Sequence, residues 1–361
     1  MILLLVVIAI SMVIILTILL VCKFYPSSSN ESFETDLITK WMPVYYFSKQ
    51  ECFWPVDVDT YLENCTVVDT SKGNSTVLKW PTQEELYNLS KTSSTTSYSL
   101  LIDNPKVCYN SLALNPPVYV NVVTSGTDTY INYFLFYGLN GWYTSSFGTS
   151  NLCAGAHTAD IEHCTVHIDG SGNLVRIMYA RHAEDEFQWV DAKDIEMENG
   201  HPVVYIAWRG HGNYQKAGHW YRSALKYKAI IMRMPDITAK DVRWIPSKYV
   251  RLYMPTETGF DPTVCGITAY QGYMGFDLDG ASSLGTNCAT ISCTGADASK
   301  TEATCNFSAP CLNGWPVKGT FTKVANINSF STRALFRAPQ TQQTGDKLAS
   351  CKIGNYSGVP C

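Results

Sequence analysis

Three textures of apolar and polar residues succeed one another along the chain. Residues 2–22 (ILLLVVIAISMVIILTILLVC) are apolar throughout and hold no charge, Gly or Pro. About 20 such residues suffice to cross the hydrocarbon core of a bilayer, so this stretch predicts a transmembrane helix. It lacks the basic start and small-residue cleavage site of a signal peptide, which favours an uncleaved signal-anchor. Residues 23–40 are polar and Ser-rich and predict a stalk. From residue 41 onward, short runs dense in β-branched and aromatic residues alternate with Gly, Asn, Ser and Pro. The runs cover residues 43–48, 117–124, 129–137, 161–169, 174–181 and 202–208, and less clearly 227–234 and 242–253. Runs of this length between turn residues predict antiparallel strands, hence an all-β fold, an antiparallel β-sandwich spanning residues 41–260. Residues 82–89 offer one short helix, and residues 67–99 otherwise look turn-rich. Residues 185–197 fit a short helix or a loop.

The third texture begins at residue 261. Residues 261–361 are rich in Gly, Ser, Thr and Ala, and Cys265, Cys288, Cys293, Cys305, Cys311, Cys351 and Cys361 fall there. The expected structure is a loop-dominated, disulfide-rich cap or small domain. With Cys52, Cys65, Cys108, Cys153 and Cys164, twelve cysteines follow the apolar segment, an even number that suggests disulfides. Six N-x-S/T sequons, at Asn30, Asn64, Asn74, Asn88, Asn306 and Asn355, are candidate glycosylation sites. Together these features predict a single-pass membrane glycoprotein, attached to the membrane through residues 2–22, with most of the chain extracellular or lumenal. The formal net charge is −4 and no basic run occurs. A nucleic-acid partner, which needs a cationic surface, is excluded.

The candidate chemistry is concentrated. All seven histidines lie between His157 and His219, the densest stretch being GAHTADIEH at residues 155–163. On a strand, Asp160 and Glu162 project to one side, followed on that side by Cys164, Val166 and Ile168. Two close carboxylates repel, and burying one end is costly unless a cation or hydrogen-bond donors compensate. With His157 folded back from the strand start, the set suits a divalent cation, Mg²⁺ or Ca²⁺ by preference, with Mn²⁺ or Zn²⁺ as alternatives. Gly155 is expected to supply the positive φ of the preceding turn. His182 and His211, at the ends of other predicted strands, are second-tier candidates. His163, His167, His201 and His219 are expected to be surface or hydrogen-bonded side chains. The FDLDG stretch at residues 276–280 is short of ligands for a calcium loop, and no nucleophile elbow, HExxH or phosphate loop occurs.

Three ordered blocks carry a family resemblance. Residues 41–62 (WMPVYYFSKQECFWPVDVDTYL) resemble the opening of the vacuolar protein sorting-associated protein 62 family, with its E-x-F/Y-x-P-x-x-V pattern. Residues 155–166 resemble that family's G-x-H-x-x-D-W-E-H-x-T-V, with Ile161 in place of the usual Trp. Residues 198–218 (ENGHPVVYIAWRGHGNYQKAG) resemble its third block. A remoter likeness is to the necrosis- and ethylene-inducing peptide 1-like proteins, whose H-x-x-D-x-E spacing falls on His157, Asp160 and Glu162. That likeness implies a β-sandwich, a divalent cation at these residues, and a glycan or lipid-headgroup ligand. A binding role is favoured over catalysis. The alternatives are a structural or attachment protein of a cell or virion surface and a metal-dependent hydrolase with Glu162 as base.

Overall fold

The computed structural model describes residues 28–275, except 94–96, 109–110, 142, 148–149, 155–156, 182–186, 222–224, 228–229, 233–234 and 271, together with residues 292–293 and 305–306. The chain divides into a unit of residues 1–42 and a unit of residues 43–361. In the first, residues 28–40 form a helix, α1 (Ser28–Lys40), where a polar stalk was expected. Among the described residues no helix is long and apolar enough to cross a membrane. That finding overturns the expected single-pass placement; residues 2–22, on which the expectation rested, lie outside the described residues.

The second unit is mostly β-strand with few helices. In chain order its strands are β1 (Val44–Phe47), β2 (Cys65–Asp69), β3 (Ser75–Lys79), β4 (Tyr98–Ile102), β5 (Val118–Ser125), β6 (Asp128–Asn140), β7 (Tyr143–Phe147), β8 (Ser150–Ala154), β9 (His157–Ile168), β10 (Leu174–Tyr179), β11 (Gln188–Asp191), β12 (Met197–Glu198), β13 (His201–Ile206), β14 (Asn213–Tyr214), β15 (Gly218–Tyr221), β16 (Leu225–Tyr227), β17 (Ile230–Met232), β18 (Pro235–Thr238), β19 (Val242–Trp244) and β20 (Tyr249–Arg251). The largest sheet runs β11-β10-β9-β6-β5-β20, and a second runs β12-β13-β1-β19 with β14 beside β13. The pairing is largely antiparallel, as expected. The exceptions are β1 with β13 and β20 with β5, which are parallel and join distant parts of the chain.

Burial explains the layers. All twelve residues of β9 are buried, so both its faces are covered. One face carries Ile161, opposite Phe136, and His163, opposite Phe134. Ile161, Phe134 and Phe136 join Val58, Tyr61, Leu86, Leu100 and Ile267 in the main apolar core. At roughly 1.5–3 kcal/mol per fully buried large apolar side chain, this cluster dominates stability. It is closed from outside by the sheet β3-β2-β4 and by two helices, α2 (Val58–Leu62) and α3 (Gln83–Thr92). Strands β2 and β3 occupy a stretch whose polar, turn-rich sequence hid them. Helix α3 is the one the sequence announced. Thr82 and Glu85 form its capping box, satisfying backbone donors at the first turn.

The opposite face of β9 looks toward the β13-β1 sheet. Tyr179 Oη, on β10, donates to the Val203 carbonyl of β13 at 3.2 Å.

The disulfide expectation needs correction at four positions. Cys65, Cys108, Cys164 and Cys265 are free and buried, while Cys52 is disulfide-bonded. Each free thiol packs as a small apolar group. Burial pushes the Cys164 thiol up to about 12 and raises Cys65, Cys108 and Cys265 as well. Of the cysteine-rich region, the helix α4 (Pro262–Cys265) and one short antiparallel pair, β21 (Ser292–Cys293) with β22 (Cys305–Asn306), are described. The FDLDG stretch and the remaining C-terminal cysteines lie outside the described residues.

Candidate functional site

The ladder between β6 and β9 sets the register of the acidic pair. Tyr137 faces Asp160, Leu135 faces Glu162 and Tyr133 faces Cys164. Asp160 and Glu162 therefore share one face of the sheet, as the alternation of the sequence required. The ladder skips Gly138 and Ala159, and Ala159 holds φ at +56°. A left-handed backbone at a non-glycine residue inside a strand is strained, and such strain gathers at functional sites. The sequence pointed to Gly155 for positive φ; that residue lies outside the described set, and the unusual torsion found is at Ala159.

Asp160 is 2% exposed, Glu162 5% and His157 5%. His157 Nδ1 lies 2.7 Å from the carbonyl of Ala159. A carbonyl only accepts, so Nδ1 carries a proton. His211, fully buried, is brought in from the turn after β13. Its Nδ1 lies 3.0 Å from Asp160 Oδ2, and its ring stacks on Tyr137 with centroids 3.8 Å apart and planes 1° from parallel. Nδ1–H donates to the carboxylate, and His211 Nε2 makes no hydrogen bond. It stands 3.9 Å from Glu51 Oε1. Burial, and then the charges of Glu51, Asp160 and Glu162, hold the Tyr137 phenol well above its ordinary pKa, so it stays protonated.

Glu51 is the residue that reading for histidine clusters misses. It is 1% exposed. Its Oε1 accepts from the amides of Cys52 and Phe53 at 2.9 Å each, and its Oε2 from the amide of Arg209 at 2.8 Å. The turn it holds carries two left-handed non-glycine residues, Arg209 (φ +68°) and His211 (φ +54°).

Of the second-tier candidates, His211 therefore joins the site, and His182 lies outside the described residues. His163 is buried beside Phe134 rather than at the surface, their ring centroids 5.5 Å apart. His167 is hydrogen-bonded, lying 2.8 Å from Asp128 and accepting from Arg176 Nε at 3.2 Å. His201 and His219 are half-buried.

The sequence model described as vacuolar protein sorting-associated protein 62 matches residues 23–233, more than half of the 361 residues. The chain belongs to the vacuolar protein sorting-associated protein 62 family. No curated protein sequence matches it. Among solved structures it is similar to Necrosis and Ethylene inducing Protein 2 from the causal agent of cocoa's witches' broom disease. There the identity is 14% over 50% of this chain and 67% of that one, with a TM-score of 0.27. It is also similar to the non-toxic HaNLP3 protein, at 11% identity over 60% and 73% with a TM-score of 0.30. A third is NLPPya in complex with mannosamine, at 11% identity over 69% and 80% with a TM-score of 0.30.

The three vacuolar protein sorting-associated protein 62 blocks converge on one place. The first supplies Glu51, the second Asp160, and the third Arg209 and His211. The His211 imidazole, which donates through Nδ1 to a buried carboxylate, is oriented as metal-binding histidines are. Carboxylate oxygens and imidazole nitrogens are the ligand types that hard or borderline cations take. Among the described residues, however, no three His, Cys, Asp or Glu side chains stand together as a set that could hold a metal ion.

Proposed function

We propose that this member of the vacuolar protein sorting-associated protein 62 family is a binding protein. Its buried cluster of Asp160, Glu162, His157 and His211 takes up a divalent cation, Mg²⁺ or Ca²⁺ by preference, and through it a glycan. One observation carries the reading: three blocks distant in sequence bring the buried carboxylates of Glu51 and Asp160 to either side of the His211 imidazole, whose Nε2 has no hydrogen bond. A buried polar atom left in that state costs about 1–3 kcal/mol, which a bound guest recovers. Taking up a cation requires these side chains to draw inward by a rotamer change. Aromatic rings, which suit a sugar, follow His211 along the chain. Trp220, half-buried, stacks on Tyr214 with centroids 4.8 Å apart, and the Arg181 guanidinium lies 4.4 Å from the Tyr214 ring. The β-sandwich architecture expected from the sequence belongs to the same reading.

The test is titration of the full-length protein with Mn²⁺, followed by electron paramagnetic resonance. A glycan array with Ca²⁺ and with chelator runs beside it, for wild type, Asp160→Asn and His211→Asn. The expected result is cation binding weakened about 10–100-fold in each variant, and glycan signals that vanish with chelator. A wild type that takes up no cation and shows chelator-independent signals sinks the reading.

A second reading, that the cluster only braces the fold, is favoured by the absence of an assembled metal set among the described residues. It predicts variants that lose stability and no binding.

A further inference from the structure

Both oxygens of Glu51 face the turn that carries His211, Oε1 standing 3.9 Å from His211 Nε2, and each also holds backbone amides. Oε1 shapes its own loop through the Cys52 and Phe53 amides. Oε2 reaches the Arg209 amide, 158 residues away. Arg209 is two residues before His211, and both have left-handed backbones that an L side chain disfavours. A turn with two such residues persists only where its surroundings impose it. Other contacts also restrain the turn, among them the Trp208 amide donating to the Ile237 carbonyl at 2.8 Å. The Arg209 carbonyl accepts from the Gly141 amide at 2.8 Å, the His211 amide donates to the Ala207 carbonyl at 2.9 Å, and Trp208 Nε1 donates to the Gln50 carbonyl at 2.9 Å. Gly141 admits the turn because it has no Cβ, which would stand 2.8 Å from Arg209 Cβ and from the Phe53 ring.

We propose that Glu51 is a positioning residue of the site. By holding the Arg209 amide it imposes the Trp208–His211 turn, and that turn sets the His211 ring against Asp160 and Tyr137. A carboxylate suits the place because it accepts at both oxygens. Glutamine has one acceptor oxygen and a donating amide, so Glu51→Gln must turn an N–H toward either the Arg209 amide or the Cys52–Phe53 pair. The role rests on the binding reading above only for its ligand readout. The ring geometry of His211 is independent of it.

The experiment uses the full-length protein and four forms: wild type, Glu51→Gln, Glu51→Asp, and Glu51→Gln combined with Arg209→Gly. The ¹⁵N resonances of the His211 ring are recorded, and Mn²⁺ affinity is measured in parallel. Glu51→Gln is expected to shift the His211 ring signals and to weaken Mn²⁺ binding about 10–100-fold, the usual effect of losing an outer orienting partner. Adding Arg209→Gly is expected to return most of both, because glycine adopts the left-handed backbone without steric cost and needs less to hold it there. That rescue separates positioning of the turn from a direct effect of the Glu51 charge. If Glu51→Gln does not fold, Glu51→Asp, which keeps both acceptors one methylene short, is expected to shift the ring signals less and in the same direction. Unchanged ring signals in the folded variant, or a loss that Arg209→Gly leaves untouched, overturn the proposal. A wild type that binds no Mn²⁺ removes the cation reading alone, since the ring signals still decide the role of Glu51.

Discussion

Two of the places where this molecule sets tyrosines beside carboxylates do so in opposite ways. On the central strands β1 and β13, Tyr46 donates to Glu198 at 2.6 Å and Tyr205 to Glu196 at 2.7 Å, and the two rings stack. Lys240 pairs with Glu196, and Arg243 with Glu198. The carboxylates there remain solvated, with side chains 37% and 24% exposed. At the candidate site the carboxylates are buried. Glu51 is held by three backbone amides and Asp160 by an imidazole. The first arrangement balances charge locally in high dielectric and can lose a member cheaply. The second has withdrawn its charges from water, so each depends on its few partners.

The largest expected effect comes from breaking the second. Asp160→Ala removes the acceptor of a fully buried imidazole and should lower unfolding free energy by about 3–5 kcal/mol in urea denaturation. A loss below about 1 kcal/mol would place this cluster in the same class as the surface lattice. Next in size is Ala159→Val. A β-branched residue at φ +56° should cost about 2 kcal/mol or more, read by the same denaturation. Ile168→Val, on the same strand at regular torsions, should cost only about 0.5–1.5 kcal/mol.

A pH series sharpens the contrast between interior and surface. Burial raises the pKa of Tyr45, Tyr61, Tyr119, Tyr133 and Tyr137 and of Cys65, Cys108 and Cys164. Their contribution is fully present below the ordinary values of thiols and phenols, about 8.5–10. It is lost as pH climbs above that range, because the unfolded chain ionises first. The carboxylates of Asp69, Asp169, Glu198 and Asp261 are shifted the other way. Their chief partners are Ser71 for Asp69, Asn173 for Asp169, Tyr46 for Glu198 and Thr263 for Asp261, all hydrogen-bonding to the charged form. What they add is present above the ordinary carboxylate range and fades as pH falls through their lowered values. Thermal melts should therefore fall more steeply above pH 9 than below pH 4. The reverse order would mean that these carboxylates outweigh the buried phenols and thiols.

The smallest effect is Glu198→Gln, which should change stability by less than about 1 kcal/mol, because its ion pair with Arg243 is partly exposed.

Much of this was written in the order of residues. Runs of β-branched and aromatic residues marked β1, β5, β6, β9, β10 and β13, since strand formation there follows the local apolar pattern. Alternation put Asp160 and Glu162 on one face, because side chains along a strand have a period of two. The short helix expected at residues 82–89 is α3, and its capped start is seen in the structure. The strands β2 and β3 escaped notice because β3 is partly exposed and carries no apolar alternation.

The site itself was only half legible. The sequence alone determined which residues bring chemistry, the H-x-x-D-x-E spacing and the strand that carries it, because these are properties of neighbouring residues. Tertiary structure decided that His211 would meet Asp160, that Glu51 would hold the turn between them, and that Ala159 would bear the left-handed torsion. Those outcomes depend on how β13 pairs with β1 and β6 with β9. Pairing between segments more than a hundred residues apart is set by the burial of whole faces, which no local run of residues encodes.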